Sequence, residues 1–183
     1  YNPEEAKKLL EEARADGVAV DTPITILGRT ANFPNNVEIL EAVQQMLQEA
    51  GFTVEVKFYE VAEFETYYSK PYAEGRGPQL VVAMHDNSKG APPFAMYFKY
   101  AAAGRQSGIA DPKVDDLIAR ASAATGDERA ALWKELQAYL HDEVVADVLL
   151  FHMVSFSRVN ERLDWTPTMA TNSMLPLADI KFK

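Results

Sequence analysis

Cysteine is absent from these 183 residues, which removes disulfide bridges, thiolate zinc sites and cysteine nucleophiles from consideration. Positive charge is in deficit. Eighteen basic residues stand against 27 acidic ones, giving a net charge of -9, a balance that repels phosphate backbones and anionic headgroups. Nucleic acid is therefore not an expected partner, and a membrane surface is a poor one. No apolar run is long enough to cross a bilayer. Neither a signal peptide nor an initiator methionine stands at Tyr1, so we expect a fragment or a processed chain. Missing too are a Gly-x-Ser-x-Gly elbow, a His-Glu-x-x-His pair, a Walker loop and a dinucleotide fingerprint, since Gly75-x-Gly77 lacks both a preceding strand and a third glycine. The expectation is a non-enzyme without metal or cofactor.

What is present suffices for a core. Apolar residues make up 48% of the chain, and its length favours one domain, 1–183. Two consecutive segments, 108–121 and 125–140, each carry a start signal and one apolar face. Asp111-Pro112 opens the first as N-cap and N1, and Asp127 is read as the start of the second. Val114, Leu117, Ile118 and Ala121, then Leu132, Leu136, Tyr139 and Leu140, fall at helical spacing. A third helix opens at Asn2-Pro3-Glu4-Glu5, with Ala6, Leu9, Leu10 and Ala13 as its expected buried stripe and Gly17 as its end. Ile24 to Leu27 reads as a strand, and Val37, Leu40, Val43, Leu47 and Ala50 as a helix face closed by Gly51. Phe52 to Tyr59 alternates like a half-buried strand. Phe64, Tyr67 and Tyr68 suggest a further helix, and Leu80 to Met84 a central strand apolar on both faces. Val148 to Phe156 predicts another apolar strand, and Leu177 to Phe182 a short terminal one. The order implies an α/β fold, in which ligands gather beyond the carboxyl ends of strands, so the loop from His85 to Pro93 is where function is expected.

The ordering Asp-Pro-x-Val-Asp-x-Leu-Ile, a short gap, then Asp-x-Arg-x-x-Leu-Trp-x-x-x-Gln-x-x-Leu resembles the C-terminal lobe of the family 5, peptide-type extracellular solute-binding proteins of ABC importers. Tyr1-Asn2-Pro3-Glu4-x-Ala6-Lys7-x-Leu9-Leu10, the run Glu41 to Leu47 ending at Ala50-Gly51-Phe52-x-Val54, the stretch Ala146 to Phe151 and the ending Asp179-Ile180-Lys181-Phe182 agree with that family in the same order. The resemblance implies an α/β lobe of the type II periplasmic-binding-protein fold, a mixed sheet flanked by helices. It further implies a hinged partner lobe preceding this one in sequence, a membrane permease as recipient, and a periplasmic or extracytoplasmic location. The implied solute is a peptide, with sugars and opines also carried by relatives.

In peptide-binding members the strand before the loop ends in an aromatic residue, followed three positions on by an Asp that pairs with the ligand's amino group. One register puts Ala83 and Asp86 at those positions; another, keeping Pro92 in line, puts His85 and Ser88 there. Asp86, His85, Asn87 and Ser88 are accordingly the candidate ligand-binding residues, joined by His152 on the expected late strand. The competing reading makes Asp86-Asn87-Ser88 a plain turn. His141, Asp115-Asp116 and Asp142-Glu143 read as solvated helix positions, Tyr97, Phe98 and Tyr100 as core packing, and Arg76 and Arg105 as loop cations able to meet a ligand carboxylate. Two alternative functions remain: a small α/β hydrolase with Asp86 as acid and His85 or His152 as base, or an interaction domain.

Overall fold

A computed structural model describes residues 2–72, 74–84, 92–154, 156–166 and 177–183. The chain divides into two compact units, residues 1–84 and 85–183.

In the first unit, α1 (Pro3–Ala15) begins as its sequence dictates. Asn2 accepts a hydrogen bond from the Glu5 amide at 3.1 Å, Pro3 occupies the first turn, and Glu4 and Glu5 face the positive end of the helix dipole. Leu10 is buried whereas Leu9 is exposed, so the apolar stripe is narrower than its spacing predicts. β1 (Ile24–Arg29), β2 (Val54–Tyr59) and β3 (Gln79–Val81) form a parallel sheet in the order β2-β1-β3. The central strand is therefore β1, with Ile26 and Leu27 almost wholly enclosed, and not the segment starting at Leu80, which is an exposed edge position. Two-sided apolarity marks a strand that could be central; which strand becomes central is fixed by pairing with distant partners.

α2 (Asn36–Ala50) joins β1 to β2, and α3 (Val61–Tyr68) follows β2. Ile26, Leu40 and Val54 make a buried cluster, with Val43, Leu47, Val56 and Phe58 packed against it. Val37, expected inside, is exposed in the first turn of α2. Gly51 ends α2 at φ 108°, a left-handed cap that costs glycine no Cβ clash. The amides of Gln44 and Gln48 both donate to the Val54 carbonyl, at 2.9 and 3.0 Å, and so tie helix to strand.

The second unit is mostly helical. α4 (Pro92–Tyr100), α5 (Pro112–Ala123) and α6 (Gly126–Tyr139) surround a core of Val114, Leu117, Ile118, Ala121, Leu132, Trp133 and Leu136. Asp111 caps α5 as its sequence predicts, accepting from the amides of Lys113 at 2.8 Å and Val114 at 3.1 Å, and the Tyr139 hydroxyl of α6 donates to its other oxygen at 3.1 Å. Asp127 is not the start of α6. It sits in the first turn behind Thr125, where its charge meets the helix dipole without a side-chain cap. A single π-helical turn, Leu140–Val144, extends α6. A short antiparallel pair, β4 (Leu163–Asp164) with β5 (Lys181–Phe182), lies near the end of the chain. The expected strand from Val148 to Phe156 is not formed among its described residues, which are exposed and belong to no sheet. A strand needs an edge to pair with, and an apolar pattern alone cannot supply one.

Candidate ligand-binding site

Parallel pairing points all carboxyl ends of a sheet in one direction, so the chain segments leaving β1, β2 and β3 share one edge of the first unit. β1 ends at Arg29, whose register partner is Tyr59, the last residue of β2. Thr30 secures the two ends, its amide and its hydroxyl both donating to the Tyr59 carbonyl at 2.9 and 3.0 Å. The buried Asn36 at the start of α2 reaches back to donate to the Arg29 carbonyl at 3.1 Å. The connecting turn takes left-handed backbone at Ala31 and Asn35. Arg29 Nε is enclosed and has no hydrogen-bond partner among the described residues. An arginine at a strand end with donor capacity to spare is suited to an acidic group.

Beside it, the rings of Tyr59 and Tyr67 lie 4.7 Å apart. Burial, with a hydrogen bond involving Tyr67, raises the Tyr59 hydroxyl above the usual tyrosine range, so it stays protonated and can donate. Lower on the same strand, the ion pair of Lys57 with Glu55 holds the Glu55 carboxyl below its ordinary value and raises the ammonium. The pair is exposed and shapes the surface more than the site.

Sequence reasoning pointed to the stretch after β3. His85, Asp86, Asn87 and Ser88 come a few residues past its end at Val81 and lie outside the described residues. His152 is described: it sits in the second unit, exposed, on the stretch that forms no strand. Arg76, read as a free loop cation, stacks on the Tyr72 ring at 3.5 Å and donates to the Tyr67 carbonyl at 3.4 Å. His141 is exposed as expected and contacts Asp142 at 2.7 Å. Arg29 was missed. Its signal was an arginine placed directly after an apolar strand and before the Asn-rich turn that opens a helix.

The second unit has a groove of about 600 Å³ between α4 and α5, walled by Phe94, Tyr97, Phe98, Ile118 and Ala119. Phe94 and Phe98 stack at 5.8 Å, so the helix turns two aromatic rings into this groove beyond those its core uses. Besides the Tyr97 hydroxyl, its polar lining groups are engaged within the fold: Asp115 accepts from the Ala102 amide at 2.9 Å, and the Ser122 hydroxyl donates to the Ile118 carbonyl at 2.6 Å. The groove therefore offers packing surface but little to orient a polar solute. No group of His, Asp and Glu suited to a metal ion occurs among the described residues.

The first unit is an α/β layer whose parallel sheet presents a polar carboxyl edge. Comparison with solved structures narrows the class, because the chain shares the type II periplasmic-binding-protein fold with several transport receptors. An ABC transporter substrate-binding protein from Sinorhizobium meliloti matches 100% of this chain over 37% of its own length, at 18% identity and a TM-score of 0.65. A nickel ABC transporter protein from Bacillus halodurans matches 79% of this chain and 31% of its own, at 19% identity and a TM-score of 0.60. A periplasmic oligopeptide-binding protein from Thermotoga maritima matches 79% and 30%, at 19% identity and a TM-score of 0.55. The chain thus spans little more than a third of the length of these proteins at most. Curated proteins yield no match. The profile of the bacterial extracellular solute-binding proteins, family 5, middle part, matches residues 1–106, and this chain belongs to that family. Family and structural neighbours alike are binding proteins of transport systems. No helix among the described residues is long and apolar enough to cross a membrane.

Proposed function

We propose that this chain is the C-terminal lobe of a two-lobed solute receptor of an ABC importer, which holds a small solute in a cleft between its lobes and hands it to a membrane permease outside the cytoplasm. The single observation that carries the reading is the family match over residues 1–106, the stretch that contains the whole parallel sheet and its carboxyl edge. A peptide is the favoured solute. Asp86 takes its ammonium through a charge-assisted hydrogen bond. His85, Asn87, Ser88 and His152 complete the proposed contacts. One lobe alone binds weakly, since half the contact surface is missing and no closure excludes water.

The test is thermal shift on a longer polypeptide carrying both lobes, against peptides, sugars and opines, with 1–183 in parallel. A free peptide at 100 times its Kd stabilises by about 2.7 kcal/mol. N-acetylating the peptide is expected to abolish the effect in the wild type and to add nothing once Asp86→Ala is made. Equal stabilisation of 1–183 alone would show a complete site in this chain and overturn the two-lobed reading.

A further inference from the structure

We propose that the groove between α4 and α5 is a binding site for an arylalkyl ammonium ion, an apolar ring-bearing chain with one positive charge at its end. The site lies within the second unit and goes beyond the receptor reading above. Shape is the first observation. Phe94, Tyr97 and Phe98 recur at helical spacing on α4, and Asp115, Ile118 and Ala119 do so on α5, so two stripes line a concavity of about 600 Å³. A volume of that order suits a small molecule. The stripes leave it open: Ala119 is too short to close it, while Phe94 stays 60% exposed and Tyr97 51%. The rings of Phe94 and Phe98 lie nearly parallel, 11° apart, and make a flat aromatic wall.

Charge is the second observation, and it sits at one end. Asp115 stands in the first turn of α5 and accepts from the Ala102 amide through Oδ1, which leaves the carboxylate with capacity for a further donor at its other oxygen. The two cations of α5 are committed elsewhere: Lys113 lies over the Tyr139 ring at 3.9 Å, and Arg120 pairs with Asp116 at 3.1 Å. Asp115 therefore keeps an uncompensated charge on the groove wall. Ala102 comes just after the end of α4 at Tyr100, whereas Phe94 belongs to its first turn, roughly 9 Å away along the helix. The groove thus has a negative head and an aromatic length. The complementary ligand lays its ring against Phe94 and Phe98 and donates from its ammonium to Asp115, with the ring faces adding to the attraction of the cation. A chain of net charge -9 also favours a cation over an anion at such a place.

Calorimetric titration with phenylpropylammonium chloride, and with phenylpropanol as its uncharged counterpart, tests this on 1–183 and on the longer two-lobed polypeptide. The cation is expected to bind both proteins about tenfold more tightly than the alcohol does. Asp115→Asn keeps an acceptor for the Ala102 amide and should erase that advantage. Ala119→Phe, at an exposed helix position, should fill the groove and weaken both ligands about tenfold or more; urea midpoints of the two variants show whether each remains folded. Equal affinity for cation and alcohol in the wild type overturns the proposal, as does undiminished binding to a folded Ala119→Phe. Binding that is lost in Asp86→Ala but kept in Ala119→Phe would put the cation at the site proposed above and would refute the groove alone. Binding to 1–183 but not to the longer protein would mean that the groove is covered there, and overturns it too.

Discussion

Replacing Gly104 by alanine places a Cβ 2.3 Å from the Tyr97 carbonyl oxygen, 2.8 Å from that of Phe98 and 2.9 Å from that of Ala101. These are backbone atoms at the end of α4, and none can swing aside as a side-chain tip would. The same turn is closed by the Gly104 amide on Ala101 at 2.7 Å, the Gln106 amide on Phe98 at 3.1 Å and the Ser107 amide on Gly104 at 3.2 Å, so relief of the clash must lengthen those bonds. Overpacking typically costs about 1–3 kcal/mol; with three rigid neighbours we expect the upper end, ~3 kcal/mol. Urea slopes for small units are about 1–3 kcal/mol/M, so the midpoint should fall by about 1–3 M. Both tryptophans, Trp133 and Trp165, belong to residues 85–183, and their fluorescence therefore reports the unit concerned. Gly108→Ala is the control. Its added Cβ meets nothing within 4 Å, and a change within ~0.5 kcal/mol is expected there. If the two substitutions shift the midpoint equally, close approach at Gly104 is not what the turn requires and the reasoning fails.

Leu136, fully buried in the helical core, should lose about 2–5 kcal/mol on truncation to alanine, and a loss under 1 kcal/mol by the same fluorescence assay would contradict its place there. Asp111 is held below the ordinary carboxylate range, first by the Val114 amide and then by the Tyr139 hydroxyl and Lys113 amide. A depressed folded pKa contributes stability that is present above the unfolded value and lost as pH falls through the folded one. Comparing urea midpoints of wild type and Asp111→Asn between pH 2 and 7 should thus show a gap that is constant near neutrality and closes in acid; a gap that widens in acid would reverse the sign. Tyr100 is pushed above the usual tyrosine range, first by burial and then by its hydrogen bond to Asp147. In an alkaline absorbance titration, Tyr100→Phe should remove only the last-ionising part of the tyrosinate signal, and loss of an early step would refute the burial argument.

Local signals carried the helices. Asn2-Pro3, Asp111-Pro112 and Gly51 act through neighbours a few residues away, and the structure uses each as cap, first turn or left-handed stop. Long-range choices were not legible. That β1 and not β3 is central, that Leu9 and Val37 face water, and that the described residues of 148–156 join no sheet all depend on which distant surface arrives. At the site, the candidate loop was readable by its place after an apolar strand and by family resemblance. Arg29 was not, since an arginine beside a turn looks like any solvated cation until β1 and β2 are set in register.

The strand order has a temporal consequence. β1 pairs on one side with β2, which follows after a single helix, and on the other with β3, which begins about 50 residues after β1 ends. At roughly 5–20 residues per second of synthesis, β1 waits on the order of several seconds with that side open. Ile26 and Leu27, almost wholly enclosed in the finished unit, are for that interval among its most vulnerable, and a nascent chain stalled before Gln79 would present the ribosome's surroundings with an unpaired hydrophobic edge.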